Sequence, residues 1–220
     1  MPPPRPLRPA TVPEGRPAAG GPTFDAAVAE IEDGLAAQQA SRPEIRFDSE
    51  PPPRRLAPHA AAIAAIVEVA DTEIAWGRFV LLYDPAGQDG WAGPFRVIAY
   101  LRAQLEPEIA ADPLIGQVGW SWLTEALQAR SAGYSAPSGT VTRVVTEGFG
   151  TKQDEPVATE FEMRASWSPA TADGDHFDLD RHVQAWADAL CTAAGLPPLA
   201  PGVARLRPSA PRQPHPGPRP

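Results

Sequence analysis

A chain of 220 residues with a formal net charge of −8, 29 prolines and a single cysteine is long enough to bury one substantial core and has no intrachain disulfide to lean on. The charge is uneven, with −14 on residues 23–200, +2 on residues 1–22 and +4 on residues 201–220, so the body lacks the clustered cations that binding to nucleic acid requires. Fifteen of the 29 prolines fall within the terminal 42 residues, which predicts a disordered leader (1–22), a single folded domain (23–200) and a disordered tail (201–220).

Taken in order, Thr23 is placed to cap a helix in which Phe24, Val28, Ile31 and Leu35 recur at helical spacing, ending near Ala40. Glu44 to Asp48 alternates as a short strand, which the run Pro51-Pro52-Pro53 breaks. His59 to Ala70 has alanines that suit a helix, but Ile63, Ala65, Val67 and Val69 alternate, and a strand gives the next two runs a common neighbour. Those runs are 76 to 83, closed by the turn Asp84-Pro85-Ala86-Gly87, and 95 to 104, with Phe95, Val97, Ala99, Leu101 and Ala103 on one face. Glu106-Pro107 opens a helical turn. Asp112-Pro113 opens a longer helix through Ile115, Val118, Trp122, Leu123, Ala126 and Leu127, with Gly133 as its stop.

Thr140 to Phe149 and Val157 to Trp167 form a hairpin whose solvated face offers Arg143, Glu147, Glu160, Glu162 and Arg164 for cross-strand charge pairs. A last helix is capped by Asp178, runs through Val183, Trp186, Leu190 and a core Cys191, and ends at Gly195. The fold class is therefore α+β, an antiparallel β-sheet with helices mainly on one face, in the order α-(β)-βββ-α-ββ-α. No apolar run approaches the ~20 residues of a membrane span and no N-terminal segment reads as a signal peptide, so a cytoplasmic location is expected.

The runs RFVLLYDPAG followed by Trp91, FRVIAYLRAQLEPEIAADPL with WSWLTEAL, then SGTVTR, EMRASW and AGLPP resemble the DUF3000 family, over roughly residues 24 to 198. That family implies no established activity, cofactor or catalytic residue. The element order is also similar to that of type III secretion chaperone-like proteins, acidic proteins that bind partner polypeptides without catalysis, which is an analogy of fold alone.

Three groups of residues are candidates for function. Asp173, Asp175, His176 and Asp178 form the densest polar cluster and could bind a divalent cation, but the spacing of a calcium loop is missing, and acids before a helix also serve its dipole. Glu106, Glu108 and Asp112 offer carboxylates for acid–base work, with no neighbouring His or Lys to complete a constellation, and Asp84, in the turn before Trp91, is a candidate for a binding surface. Trp91 stands in a Gly-rich turn, and Trp120 and Trp122 point about 200° apart on one helix, so that one of them, Trp120 by this reading, is left partly exposed as an interface anchor. No cofactor motif, phosphate loop or nucleophile elbow is present.

The expectation is a non-catalytic protein-interaction or regulatory module that binds another protein or itself. The alternatives are a small enzyme or ligand binder with its site at Asp84–Trp91 and Glu106–Asp112, and a nucleic-acid-associated regulator acting through the Arg-containing tails.

Overall fold

The computed structural model describes residues 10–11, 23–170 and 177–198. Its centre is an antiparallel sheet. Strands β3 (His59–Val69), β4 (Thr72–Tyr83) and β5 (Phe95–Leu105) form a meander. The long hairpin of β6 (Tyr134–Thr146) and β7 (Ala158–Pro169) joins it through β7, leaving β6 as one edge. On the far side β3 is flanked by β2 (Ile45–Glu50) along most of its length and by the two-residue β1 (Ala10–Thr11) at its start.

Because side chains alternate across a strand, this register brings odd-numbered residues of β3, β4, β5 and β7 to one face. Ile63, Phe79, Val97 and Phe161 are fully buried there. The ambiguous His59 to Ala70 run is thus a strand, as its alternation indicates.

That face carries α1 (Phe24–Ser41), the short α2 (Pro107–Ala110), α3 (Ile115–Ala129) and α4 (Leu179–Ala193). Helix α4 lies in the middle, between α1 and α3 and across β3, β4, β5 and β7. Ten of its 15 residues are buried, four of them alanines, and such small side chains let it sit close to the sheet on one side and both helices on the others. Arg130, just past α3, ties the three helices together. It donates to Asp188 (2.7 Å) and Gln184 (2.6 Å) of α4 and to Gln38 of α1 (3.2 Å), while Gln38 in turn donates to Asp188 (2.8 Å).

A histidine is buried in the core. His182 of α4 accepts a hydrogen bond at Nδ1 from the Trp167 indole (3.1 Å), which places its proton on Nε2, where no bond forms. Burial lowers its pKa to about 4, against weaker opposing pulls from Asp178 and the Gly133 backbone.

Helix ends account for most departures from the sequence reading. Thr23 caps α1 as expected, its hydroxyl accepting from Ala26 N, and Gly195 terminates α4 with Leu196 N bonding back to Cys191 O (2.9 Å). Asp112 does not cap α3 directly. Its carboxylate accepts from Leu114 N (2.8 Å), and the helix starts one residue later. The left-handed residue that ends α3 is Ser131, not Gly133, with Ala132 N reaching Leu127 O. Asp178 occupies the cap position of α4 in a left-handed conformation, yet Glu30 of α1 supplies the capping oxygen, accepting from Leu179 N (3.0 Å).

Arg143 is another correction. It pairs with Phe161 and so lies on the helix side, donating to the carbonyls of Ala110 and Asp112, while the solvated charge pair is Arg102 with Glu160.

Candidate binding groove

The even-numbered residues of the same strands point to the opposite face, where no helix packs. Part of that face is nonetheless covered. The link between β2 and β3, residues 51–58, crosses it as a strap, held by Arg78 donating to Pro51 O (2.9 Å) and by Gln88 donating to Leu56 O (3.1 Å). The β4–β5 loop folds over from the end. Asp84 organises it by accepting from Ala86 N and Gln88 Nε2, and Ala92 N donates to the Ser168 hydroxyl (3.0 Å). Together they enclose a small second apolar cluster of Ala60, Ala62, Val80 and Leu82, against which Ala57, Trp91 and Ile98 pack.

Beside this cover, over β5, β7 and β6, the face is open. Two adjoining depressions of about 610 Å³ and about 420 Å³ share Leu56, Ile98 and Arg164. The larger is bounded by Trp91, Arg96, Ser138 and Ser166, the smaller by Trp76, Val80 and Tyr100. Such volumes are in the range of ligand sites.

Arg96 forms the polar end. Only 9% exposed, it donates to Ala136 O (3.0 Å) and to the hydroxyls of Ser166 (2.7 Å), Ser138 (3.4 Å) and Ser168 (3.4 Å). Burial lowers its pKa. The Ala136 carbonyl reaches it because a bulge in β6 between Ser135 and Ser138 puts Ala136 at φ 47°, a bulge re-aiming backbone as bulges do beside sites. Arg164 lies over the Tyr100 ring, 5.5 Å from its centroid. The Tyr100 pKa is raised by burial and by the adjoining Glu162 carboxylate.

The sequence candidates are dispersed. Asp84 and Trp91 border the groove, Asp84 as the scaffold of the loop and Trp91 as a wall. Glu106, Glu108 and Asp112 lie past the other end of β5, about 30 Å away at ~3.3 Å per strand residue, so the two parts of the alternative enzyme or ligand site do not meet. Trp120 and Trp122 lie on the helix side. The residues of α3 that meet the sheet are Gly119 and Leu123, and the two indoles straddle them, Trp122 against Phe161 (5.1 Å between rings) and Trp120 against Gly139.

Among the described residues no group of three or more His, Cys, Asp or Glu could hold a metal ion. Asp173, Asp175, His176 and the Arg-containing tails lie outside the described residues. The sequence reading missed Arg96, Ser138 and Ser166. Its one signal was an arginine at an outward position of β5, in line with Arg102 and Gln104, which does not announce burial.

A two-layer α+β domain with one helical face and one grooved face is the class of protein these observations define. No helix among the described residues is long and apolar enough to cross a membrane. Residues 21–204 match DUF3000, described as a protein of unknown function, and the chain belongs to that family. No curated protein and no solved structure matches it.

Proposed function

We propose that this protein is a non-catalytic interaction module that binds an extended segment of a partner polypeptide along the helix-free face. The observation that carries this reading is the open groove between the strap and β6, walled by Trp91 and Leu56 and floored by Ile98. Aromatic side chains at a concave surface are the usual anchors of protein recognition. The lining carries no His, Cys, Asp, Glu or Lys, which supports binding over proton-transfer chemistry. The adjacent β6 edge supports an extended occupant, because it is largely exposed and has a partner strand on one side only.

Selection of random peptides displayed on phage against the folded chain tests the proposal. Selected peptides are expected to lose at least about tenfold in affinity on Ile98→Glu, the effect of a charge set into the apolar floor. Val118→Glu, on the exposed side of α3, should leave binding unchanged. Failure to select any peptide, or selection of peptides indifferent to Ile98→Glu, overturns the reading.

A further inference from the structure

We infer that the groove's occupant is an acidic segment, anchored by a carboxylate that seats where Arg96, Arg164, Ser138 and Ser166 converge. This deepens the interaction reading above and rests on it.

The first observation is a cation without a counter-ion. Arg96 is almost fully buried, and every partner it has is neutral: three serine hydroxyls and a carbonyl. A buried charge is ordinarily paired, and carboxylates are abundant here, with 26 on residues 23–200. None lines the groove.

The second observation is the direction of the donors. Ser166 and Ser138 are cross-strand partners 3.1 Å apart, and both accept from the same guanidinium nitrogen of Arg96. One of these hydroxyls donates to the other, which leaves the second hydroxyl's proton to offer outward, polarised by the cation behind it. The next cross-strand pair along the same face is Thr140 with Arg164, adding another hydroxyl and an exposed guanidinium. The groove therefore presents donors from three strands and no acidic acceptor, the requirement of an oxyanion site.

Charge selects among oxyanions. Arg164 already shares its charge with Glu162 at 3.5 Å and Arg78 with Glu50 at 2.9 Å, so the groove has about one positive charge to neutralise. A monovalent carboxylate fits that balance, and a phosphate dianion exceeds it. The basic terminal segments are unsuited as occupants by the same argument, since residues 201–220 carry four arginines and no acid.

Small probes test the anchor separately from peptide selection. Phenylacetate, its neutral isostere phenylacetamide and phenyl phosphate are titrated into the full chain, read by the amide signals of Ser138 and Ser166 and the Trp91 indole proton. Phenylacetate is expected to bind, and phenylacetamide to bind at least about tenfold more weakly, as charge-assisted hydrogen bonds demand. Arg164→Gln and Ser138→Ala, at exposed positions that leave the core intact, should each weaken phenylacetate several-fold, and Arg96→Gln should abolish the difference between acid and amide. Equal binding of acid and amide, or acid binding indifferent to all three substitutions, overturns the anchor. Tighter binding of phenyl phosphate reassigns the site to phosphate and overturns the carboxylate. If no probe binds, the anchor falls, while the interaction reading stands or falls with the phage selection alone.

Discussion

Trp167 and His182 form a polar seam inside the main core, and the seam carries a pH dependence. The imidazole of folded His182 takes up a proton only near pH 4, whereas in the unfolded chain it does so near the ordinary value of about 6.5. Between those values the unfolded state binds more protons, so stability falls as pH drops from about 6.5 and levels off below about 4. The full effect of this one group is about 3 kcal/mol at ~1.4 kcal/mol per pH unit. Urea unfolding from pH 7 to pH 4 should show this slope, and His182→Gln should flatten it. Equal slopes in the two proteins would mean that other groups control acid sensitivity. Nothing in the local sequence marks His182 as buried beside an indole; the two residues meet only because α4 lies across β7.

At the scale of elements, the helices are joined by polar contacts at their rims and apolar contacts at their centres. Asp188→Ala should cost about 2–3 kcal/mol, because Arg130 loses its charged acceptor and Gln38 one of its partners. A double-mutant cycle of Arg130→Ala with Asp188→Ala should show a coupling of about 1 kcal/mol or more, and additivity would show the ring to be incidental. Trp120→Ala is expected to lower the thermal midpoint, since the indole packs where a Cβ on Gly139 would lie 2.5 Å from its Cζ3 atom. Loss of a partly buried Trp costs about 3 kcal/mol; an unchanged midpoint would return Trp120 to the role of a surface anchor.

Strands β2 to β7 and their order of occurrence were readable because alternation or a run of apolar and β-branched residues marks each one and Pro, Gly and Asp mark the breaks; the two-residue β1, inside the expected leader, carries no such signal. The cap of α4 was not, because Glu30 is 149 positions from the Leu179 amide it serves. The packing of the two tryptophans of α3 was not legible for a related reason. Angular spacing says where side chains point around the axis, and the pair looked unable to share one core. Only the close approach allowed by Gly119, beneath which Phe161 lies, lets both straddle the line of contact.

On the scale of the whole molecule, the two faces of the sheet divide the work. One is closed by three helices and holds the main core, and the other is half covered by the strap and the loop bearing Trp91. The proline run that ends β2 also forms part of the roof over that second face, which a strand-breaking role alone does not suggest. Arg96 shows the same limit, since its position in β5 was plain and its enclosure by serines from two later strands was not.

The placement of α4 has a consequence for synthesis. Of the elements that build the core it leaves the ribosome last, yet it lies over the middle of the sheet, so a nascent chain exposes the apolar side of four strands until residues beyond 179 have emerged. At roughly 5–20 residues per second, the whole sheet spends several seconds without its cover. Chains truncated after residue 178 should be recovered as aggregates or in complex with chaperones, and supplying residues 179–198 as a separate peptide during refolding should rescue part of them. Soluble, cooperatively unfolding material from the truncated chain would show that the strands and the first three helices suffice without the last one.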